Sequence, residues 1–487
     1  MENDSLFKPL NMITSEKGDE HESVNNITTD EINTNLKKTK NSAPGEDGIS
    51  NAIIKMSPLS LKSKLCDIYN KCIQIGYFPS LWKKAVGIML PKPDKDQTET
   101  TNYRPISLLS CLGKLLERIL ANRLKQKLIK DKAFNKWQRA YLENKEGMEH
   151  VLRLVETAQL AIKKNWLTGT VLLDVEKAFD SVWHDGLKYK LAHYNLPNKM
   201  IRILASFLDN RKIQVKIKDT MSESVNLKAG TPQGSVLSPL LFILYVNDLP
   251  VHPAHKVEVS QFADDLGLWT SAKNKKTLEL RLNAAMEDLE LWCSMWRIKL
   301  NAKKTQLVVF NKRKTRIKPN VTLFGEKIPQ FDQATLLGIT LDHKMSLNQH
   351  IANITKKARQ RTGLLVRLRG TNWGTSSAVL IKLYKAFIRP ILEYGAVIFA
   401  AMNKTNIKKL QRVQNRALRI ALKMPFGTSI KLLQERANIE PIADRLSYLG
   451  KKTIQRYTGS QIMKELKLKH LLLKKENKPT TLDFYFK

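Results

Sequence analysis

Val257-Glu258-Val259-Ser260-Gln261-Phe262-Ala263-Asp264-Asp265-Leu266-Gly267-Leu268-Trp269-Thr270 sets two adjacent carboxylates between short runs of β-branched and aromatic residues. With Gly267 just beyond them, the stretch reads as a strand, a tight turn carrying Asp264 and Asp265, and a returning strand. Such a pair means little alone, because Asp is a good turn residue and average composition yields roughly one Asp-Asp in a chain of this length. It gains weight from a third carboxylate. Thr170-Val171-Leu172-Leu173 is a continuous buried-strand signal that ends at Asp174. Asp180 and Ser181 are better placed to cap the helix expected over residues 181–194, so a capping role does not account for Asp174 and a ligand role is favoured. Convergent carboxylates in a basic protein are what a divalent metal site working on nucleic acid requires.

The chain has 487 residues, 42% of them hydrophobic, enough for two or three domains with a large core. No apolar run is long enough to span a bilayer, and the N-terminus lacks a secretory pattern, so a soluble, non-secreted protein is expected. Cys66, Cys72, Cys111 and Cys293 form no Cys-x-x-Cys pair and have no nearby His, which argues against a zinc site or a disulfide framework and for a reducing compartment. The net charge of +37 is uneven: residues 1–31 hold eight acidic and two basic side chains, so the rest is more basic still. That balance suits a polyanion partner.

Outward from the Asp motifs, the pattern predicts helices over 59–75, 111–128, 201–207 and 278–296, and strands over 86–90 and 306–310. Lys92 and Arg104 each sit beside a proline, where a fixed backbone can aim a long cationic side chain at a phosphate or simply leave it in solvent. An exposed basic hairpin is expected around 211–218, and a basic tract follows at 312–318. Ala229-Gly230-Thr231-Pro232-Gln233-Gly234-Ser235 is a loop with two glycines, where backbone can approach a substrate. Ser238 and Pro239 fit the N-cap and first position of a helix to about Asp248.

After a hairpin at 336–341 the periodicity turns helical, over 347–368, 376–400 with a break at Pro390, and 405–423. In the last of these, Leu410, Val413, Ala417 and Ile420 make one face and Arg412, Arg416, Arg419 and Lys423 another. With Lys356, Lys357, Arg359 and Arg361 on an earlier helix, these form a candidate nucleic-acid groove. The tail from Ser447 is Lys-rich and partly helical, and no internal repeat is present.

Asn102-Tyr103-Arg104-Pro105-Ile106-Ser107, Asp174 with Ala178-Phe179-Asp180, Gly230-Thr231-Pro232-Gln233-Gly234-Ser235, and Phe262-Ala263-Asp264-Asp265 follow one another in the order found in reverse transcriptases. Over residues 36–425 the chain resembles the reverse transcriptases of non-LTR (LINE-type) retrotransposons, in the manner of the jockey group. The resemblance implies an α/β (α+β) polymerase right hand. Fingers and palm with antiparallel sheet would occupy 36–342 and an all-α thumb 343–425, flanked by a disordered acidic segment at 1–35 and a basic helical extension at 426–487. It implies an RNA-directed DNA polymerase, intracellular in nucleus or cytoplasm, whose partners are an RNA template, a DNA primer or target DNA, and deoxyribonucleoside triphosphates.

By position, the resemblance makes Asp174 and Asp264 the main ligands of two magnesium ions, with manganese as the alternative and Asp265 beside them. Lys92 and Arg104 match residues that grip the triphosphate. Gln233 and Gly234 match the loop under template and incoming nucleotide, Phe179 matches an aromatic gate beneath the sugar, and Lys304 matches a lysine near the pyrophosphate. Elements of this kind usually carry an upstream endonuclease, for which about 35 residues leave no room, so target cleavage is expected from elsewhere. A catalytically inactive nucleic-acid-binding derivative is the alternative; intact Asp and Pro-Gln-Gly motifs weigh against it. A group II intron maturase is disfavoured because the final 60 or so residues show no maturase or His-Asn-His pattern.

Overall fold

The computed structural model describes residues 24–93, 95–250, 252–313, 316–370, 374–399, 402–460, 463–465 and 481–485. It divides into two units, the first made of residues 1–143, 175–250 and 288–300 and the second of 144–174, 251–287 and 301–487.

In the first unit the strand Lys84–Pro91 pairs antiparallel with Tyr103–Leu108 and parallel with Arg211–Ile217, which in turn takes Thr220–Met221 and Val225–Leu227. The parallel pair needs a long crossover, which the intervening helices supply. The helix Leu59–Ile75 ends on Gly76 in the left-handed conformation, a C-cap a Cβ would oppose. The helix Cys111–Lys130 starts at Ser110, whose hydroxyl accepts from the Gly113 N–H.

In the second unit five strands stand in the order Gln330–Phe331, Gln306–Phe310, Leu167–Leu173, Asp265–Ala272, Glu258–Phe262. The central strand Leu167–Leu173 is antiparallel to both neighbours, and Gln330–Phe331 joins the edge in parallel. Val171, Leu268, Trp269, Leu307 and Val308 are buried in this sheet, as a centrally paired apolar strand demands. Gly169 lets Leu278 and Leu282 of the helix Lys275–Met295 close onto the sheet; a Cβ there would meet Leu282 at 2.9 Å. The helix Met148–Lys163 brings the buried Arg153, which donates to the Val259 carbonyl at 2.8 Å, pairs with Glu258 at 3.0 Å and lies over the Trp269 ring. A buried guanidinium is tolerable because its donors are satisfied.

Beyond the sheet come the helices Asn348–Arg369, Ser377–Leu383, Arg389–Glu393, Lys404–Leu422, Ile430–Ala437 and Ile442–Tyr457. The C-terminal segment belongs to the same unit: the Tyr457 hydroxyl donates to Glu146 at 2.8 Å and the Leu482 N–H to Glu156 at 2.6 Å. All four cysteines are buried and free, and among the described residues no helix is long and apolar enough to cross a membrane.

Several expectations need correction. Disorder to residue 35 fails where Thr28 caps the helix Thr29–Lys37 and Glu31 pairs with Arg123 at 2.6 Å; residues 1–23 lie outside the described residues. Neither Asp180 nor Ser181 caps the next helix, which runs His184–His193 from an N-cap at Trp183, because Asp180 accepts from Gln233 and the Ser181 hydroxyl donates to the Glu176 and Ala178 carbonyls. The helix Ser238–Tyr245 stops short of Asp248 and takes its cap from Ser235, whose hydroxyl accepts from the Leu237 and Ser238 N–H groups. Arg211 is buried: its guanidinium donates to the Phe207 carbonyl and lies over the Phe207 ring. The break near Pro390 begins earlier, as a π-turn over Tyr384–Ile388, since proline removes an N–H and crowds the carbonyl four residues back. The helix Met148–Lys163 is not among those the sequence pattern predicts. The helix expected over 376–400 ends at Glu393, with a short 3-10 turn at Ala396–Ile398 after it, whereas residues 314–315 of the basic tract and 461–462, 466–480 and 486–487 of the Lys-rich tail lie outside the described residues.

Candidate active site and nucleic-acid interface

The second unit carries the carboxylates at one end of its sheet. Leu173 pairs with Leu266, so Asp174 and Asp265 are the next residues along the two adjacent strands. Phe262 pairs with Asp265 across a two-residue turn of Ala263 and Asp264. Ala263 is buried with φ +56, a strained conformation for a residue with a Cβ, and it sits at the turn that presents Asp264. Asp264 and Asp265 are both exposed. Partial desolvation first, then the charges of Asp264 and Asp174, push the Asp265 carboxyl above its ordinary value.

The segment after Leu300 braces Asp174. The Asn301 N–H donates to the Asp174 carbonyl at 2.9 Å, and the buried Thr305 hydroxyl accepts from the Asp174 N–H at 3.3 Å. The Asn301 side-chain oxygen accepts from the Lys304 N–H at 3.0 Å. Lys304 Nζ stands 4.0 Å from Asp174 Oδ2, with the two side chains 69% and 45% exposed. Among the described residues no three His, Cys, Asp or Glu side chains are posed as a ready coordination group. What the sheet end offers is the donor chemistry that suits a hard divalent cation: carboxylate oxygens of like charge, one of them raised by partial desolvation and then by the charges of the others.

The first unit gathers the glycine loop, the residues after Ala178 and the basic strand ends. The Gly230 N–H donates to the Val182 carbonyl, the Thr231 N–H to the Phe179 carbonyl, and His184 Nε2 to the Gly230 carbonyl at 2.7 Å. Gly230 has φ +87, and a Cβ there would meet the Asp180 backbone at 2.7 Å; Gly234 has φ +126, and a Cβ would meet the Ser107 carbonyl oxygen at 2.5 Å. Both glycines are therefore obligatory for the close approach. Gln233 donates through Nε2 to Asp180 at 3.1 Å and accepts at its carbonyl from the Ser107 N–H at 2.7 Å. Partial burial raises the Asp180 carboxyl, against the Gln233 hydrogen bond and the charges of Lys177 and Lys92. The Lys92 ammonium donates to the Thr101 carbonyl, and Arg104 is exposed opposite Leu90 in the strand pair. Phe179 is half-buried, with its ring against Phe242 at 4.7 Å.

Sequence reasoning passed over Glu117. Its side chain is fully buried, and Oε2 accepts from the Ser235 hydroxyl and from the Val236 N–H at 2.7 Å. The Glu117 charge also acts on the buried Arg211 guanidinium, which desolvation lowers to about 10. The available signal was a charge within the apolar run of the helix Cys111–Lys130, next to Leu116 and Leu120. His184, Asn301 and Thr305 went unnoticed too, since each acts through backbone partners distant in sequence.

Of the basic residues on the later helices, Arg359, Arg412, Arg416 and Arg419 come together in one cavity, whereas Lys356, Lys357 and Lys423 do not line it. These three lysines are exposed.

The family described as reverse transcriptase (RNA-dependent DNA polymerase) matches residues 90–341. The RNA-directed DNA polymerase from mobile element jockey of Drosophila melanogaster is 31% identical over 88% of this chain and 48% of its own length. The probable RNA-directed DNA polymerase from transposon BS of the same organism is 31% identical over 91% of this chain and 49% of its own. A solved apo telomerase from Candida tropicalis aligns with 85% of this chain and 74% of its own at 13% identity and TM-score 0.44. The chain spans about half the length of the curated relatives it matches. With mixed sheets, many helices and the ordered Asp and Pro-Gln-Gly motifs inside the matched region, the chain belongs to the reverse transcriptase family, which has the right-hand polymerase fold.

Proposed function

We propose that this chain is an RNA-directed DNA polymerase that copies the RNA of a mobile element into DNA inside the cell, by extending a DNA primer or a target-DNA end with deoxyribonucleoside triphosphates. The observation that carries the reading is the sheet end in which Asp174, Asp264 and Asp265 share one electrostatic field with Lys304 4.0 Å from Asp174. Reverse transcriptase domains generally use divalent metal ions, and the carboxylate oxygens fit that chemistry. Asp174 and Asp264 would be the main ligands of two magnesium ions, or of manganese, with Asp265 beside them. Bound there, the ions would supply the charge that favours ionisation of the primer 3′-hydroxyl and offsets the triphosphate.

The chain's own side chains do the remaining work. Lys304 holds a proton for the departing pyrophosphate. Lys92 and Arg104 bind triphosphate oxygens, and the Gln233–Gly234 backbone, fixed by Asp180 and Ser107, supports template and nucleotide. Phe179, backed by Phe242, lies beneath the sugar and excludes a 2′-hydroxyl. Lys356, Lys357, Arg359, Arg412, Arg416, Arg419 and Lys423 contact phosphates of the bound strands. On this reading residues 36–342 serve as fingers and palm, 343–425 as thumb and 426–487 as a basic extension. Primer extension on an RNA template with magnesium tests it: synthesis by the wild-type chain and none by Asp264→Asn is the expected result, and absence of synthesis by both overturns it.

A further inference from the structure

A cavity of about 710 Å³ opens between the helices Asn348–Arg369 and Lys404–Leu422 and the turn after them. Its rim is cationic. Arg412, Arg416 and Arg419 follow at helical spacings of four and three, Arg359 and Arg369 face them from the other helix, and among the described residues no Asp or Glu lines the space. Its floor is not cationic: Val413, Ile420 and Met424 are apolar. At the mouth stands Phe426, 90% exposed, more than any other large apolar side chain among the described residues. Phe426 is held from behind. The Arg419 guanidinium lies 5.3 Å from its ring centre and donates to the Thr428 carbonyl at 3.1 Å, while Arg419 Nε is buried without a hydrogen-bond partner.

These parts discriminate between ligands. A duplex presents phosphates on a convex outer surface with its bases stacked inside, so it uses the cationic tips and leaves an apolar floor and an exposed ring idle. An acidic protein segment would use the arginines but supplies no flat π-face to cover the ring. An unpaired base has two apolar faces to bury and a phosphate on either side, the combination that aromatic rings interleaved with arginines recognise. The cavity is also of ligand size, within the roughly 300–1,000 Å³ of small-molecule pockets.

We propose that this pocket is a single-strand site, in which an unpaired base stacks on Phe426 over the apolar floor while Arg412, Arg416 and Arg359 hold the flanking phosphates. It rests on the reading that the chain handles nucleic acid but not on its capacity to polymerise.

The test is equilibrium binding of a short single strand carrying one 2-aminopurine, as RNA and as DNA, beside a duplex of equal charge and a poly-glutamate peptide. Expected is fluorescence quenching of the single strands, with Phe426→Ala weakening their binding about tenfold and duplex binding less than about twofold. Phe426→Tyr should retain the affinity, and Arg416→Gln should lower the salt dependence of binding for every strand. Because Phe426 is almost fully exposed, its replacement should leave the melting temperature unchanged. Equal loss for RNA and DNA would mean stacking without sugar recognition, and loss confined to one would identify the strand; either supports the site. Equal weakening of duplex and single strand by Phe426→Ala, or no weakening of either, overturns the proposal. So does tighter binding of poly-glutamate than of the single strands, which would mark a protein partner. The assay reads binding without synthesis, so a chain that failed to polymerise would still answer it.

Discussion

The carboxylate end of the sheet and the Gln233 loop reach their geometry by opposite means. The carboxylates are placed by strand register: Asp174 follows and Asp265 precedes one of a pair of facing leucines, and Asp264 sits in the turn before Asp265 with its side chain in solvent. The loop has no ladder of its own and is held by Glu117, Asp180, His184 and the Ser107 backbone. A site built on register tolerates loss of a side chain without losing its shape, whereas one built on buried polar partners fails with any of them. Changes at the carboxylates should therefore remove chemistry and spare structure, and changes behind the loop should damage both.

The sharpest test is Asp264→Asn. It removes a carboxylate charge from a turn whose backbone the ladder fixes, so on the proposed function synthesis should fall on the order of 10³-fold or more. RNA binding should stay within about twofold because no basic residue is touched. Primer extension and a filter-binding isotherm on the same preparation decide it, and residual synthesis near the wild-type level would remove Asp264 from the metal site.

Glu117→Ala should fail in the other manner. It deprives the Ser235 hydroxyl and the Val236 N–H of their acceptor and leaves Arg211 buried without its counter-charge. The expected cost is on the order of 3 kcal/mol of stability, with kcat/KM for the nucleotide falling by about 10²-fold as the loop shifts. Glu117→Gln keeps an acceptor and should recover most of the stability. If the nucleotide KM of Glu117→Ala is unchanged by urea-calibrated comparison with the wild type, the loop does not depend on this anchor and the contrast between the two regions collapses.

Phe179→Val probes the loop's near neighbour with a smaller effect. The ring contacts Phe242 on one side and is only half-buried. Removing it should raise ribonucleotide use relative to deoxyribonucleotide at least tenfold, a barrier change of about 1.4 kcal/mol, measured as the ratio of kcat/KM values. An unchanged ratio with a lower melting temperature would make Phe179 a packing residue alone.

The same division explains what the sequence disclosed. Strands and helices with continuous apolar signals were legible almost to the residue, as in Leu59–Ile75 and Gln306–Phe310, because local periodicity records burial directly. The apolar runs around the Asp motifs placed Asp174 at a strand end and Asp264 and Asp265 at a hairpin turn, whereas Lys304 entered only through the resemblance. Glu117 and Arg211 were not legible, because a charge inside a helix or strand looks solvated until its partner, about 120 residues away for Ser235, folds against it. The cap assigned to Asp180 failed for the same reason, since Gln233 had already engaged its carboxylate. The arginine cavity was legible as a basic helix face, but the role of Phe426 depends on a turn with no periodicity.

The smallest expected effect tests the register-built region on its stability alone. The Asp265 carboxyl is raised above its unfolded value of 3.8 by partial desolvation and by Asp264 and Asp174. A raised acid binds its proton more tightly when folded, so its contribution is fully present below pH 3.8 and is lost as pH rises through the folded value. At neutral pH, without divalent metal, the three carboxylates therefore repel one another and weaken the fold. Asp265→Asn should raise the melting temperature slightly at pH 7 in a chelator and leave it unchanged near pH 3, with added salt shrinking the difference because the side chain is exposed. The variant should also gain less from magnesium than the wild type, since it has less repulsion for the ion to relieve. A melting temperature that falls on Asp265→Asn at pH 7 would mean that the carboxylate is held by stabilising partners, as the loop is, and that the two regions do not differ in the way described.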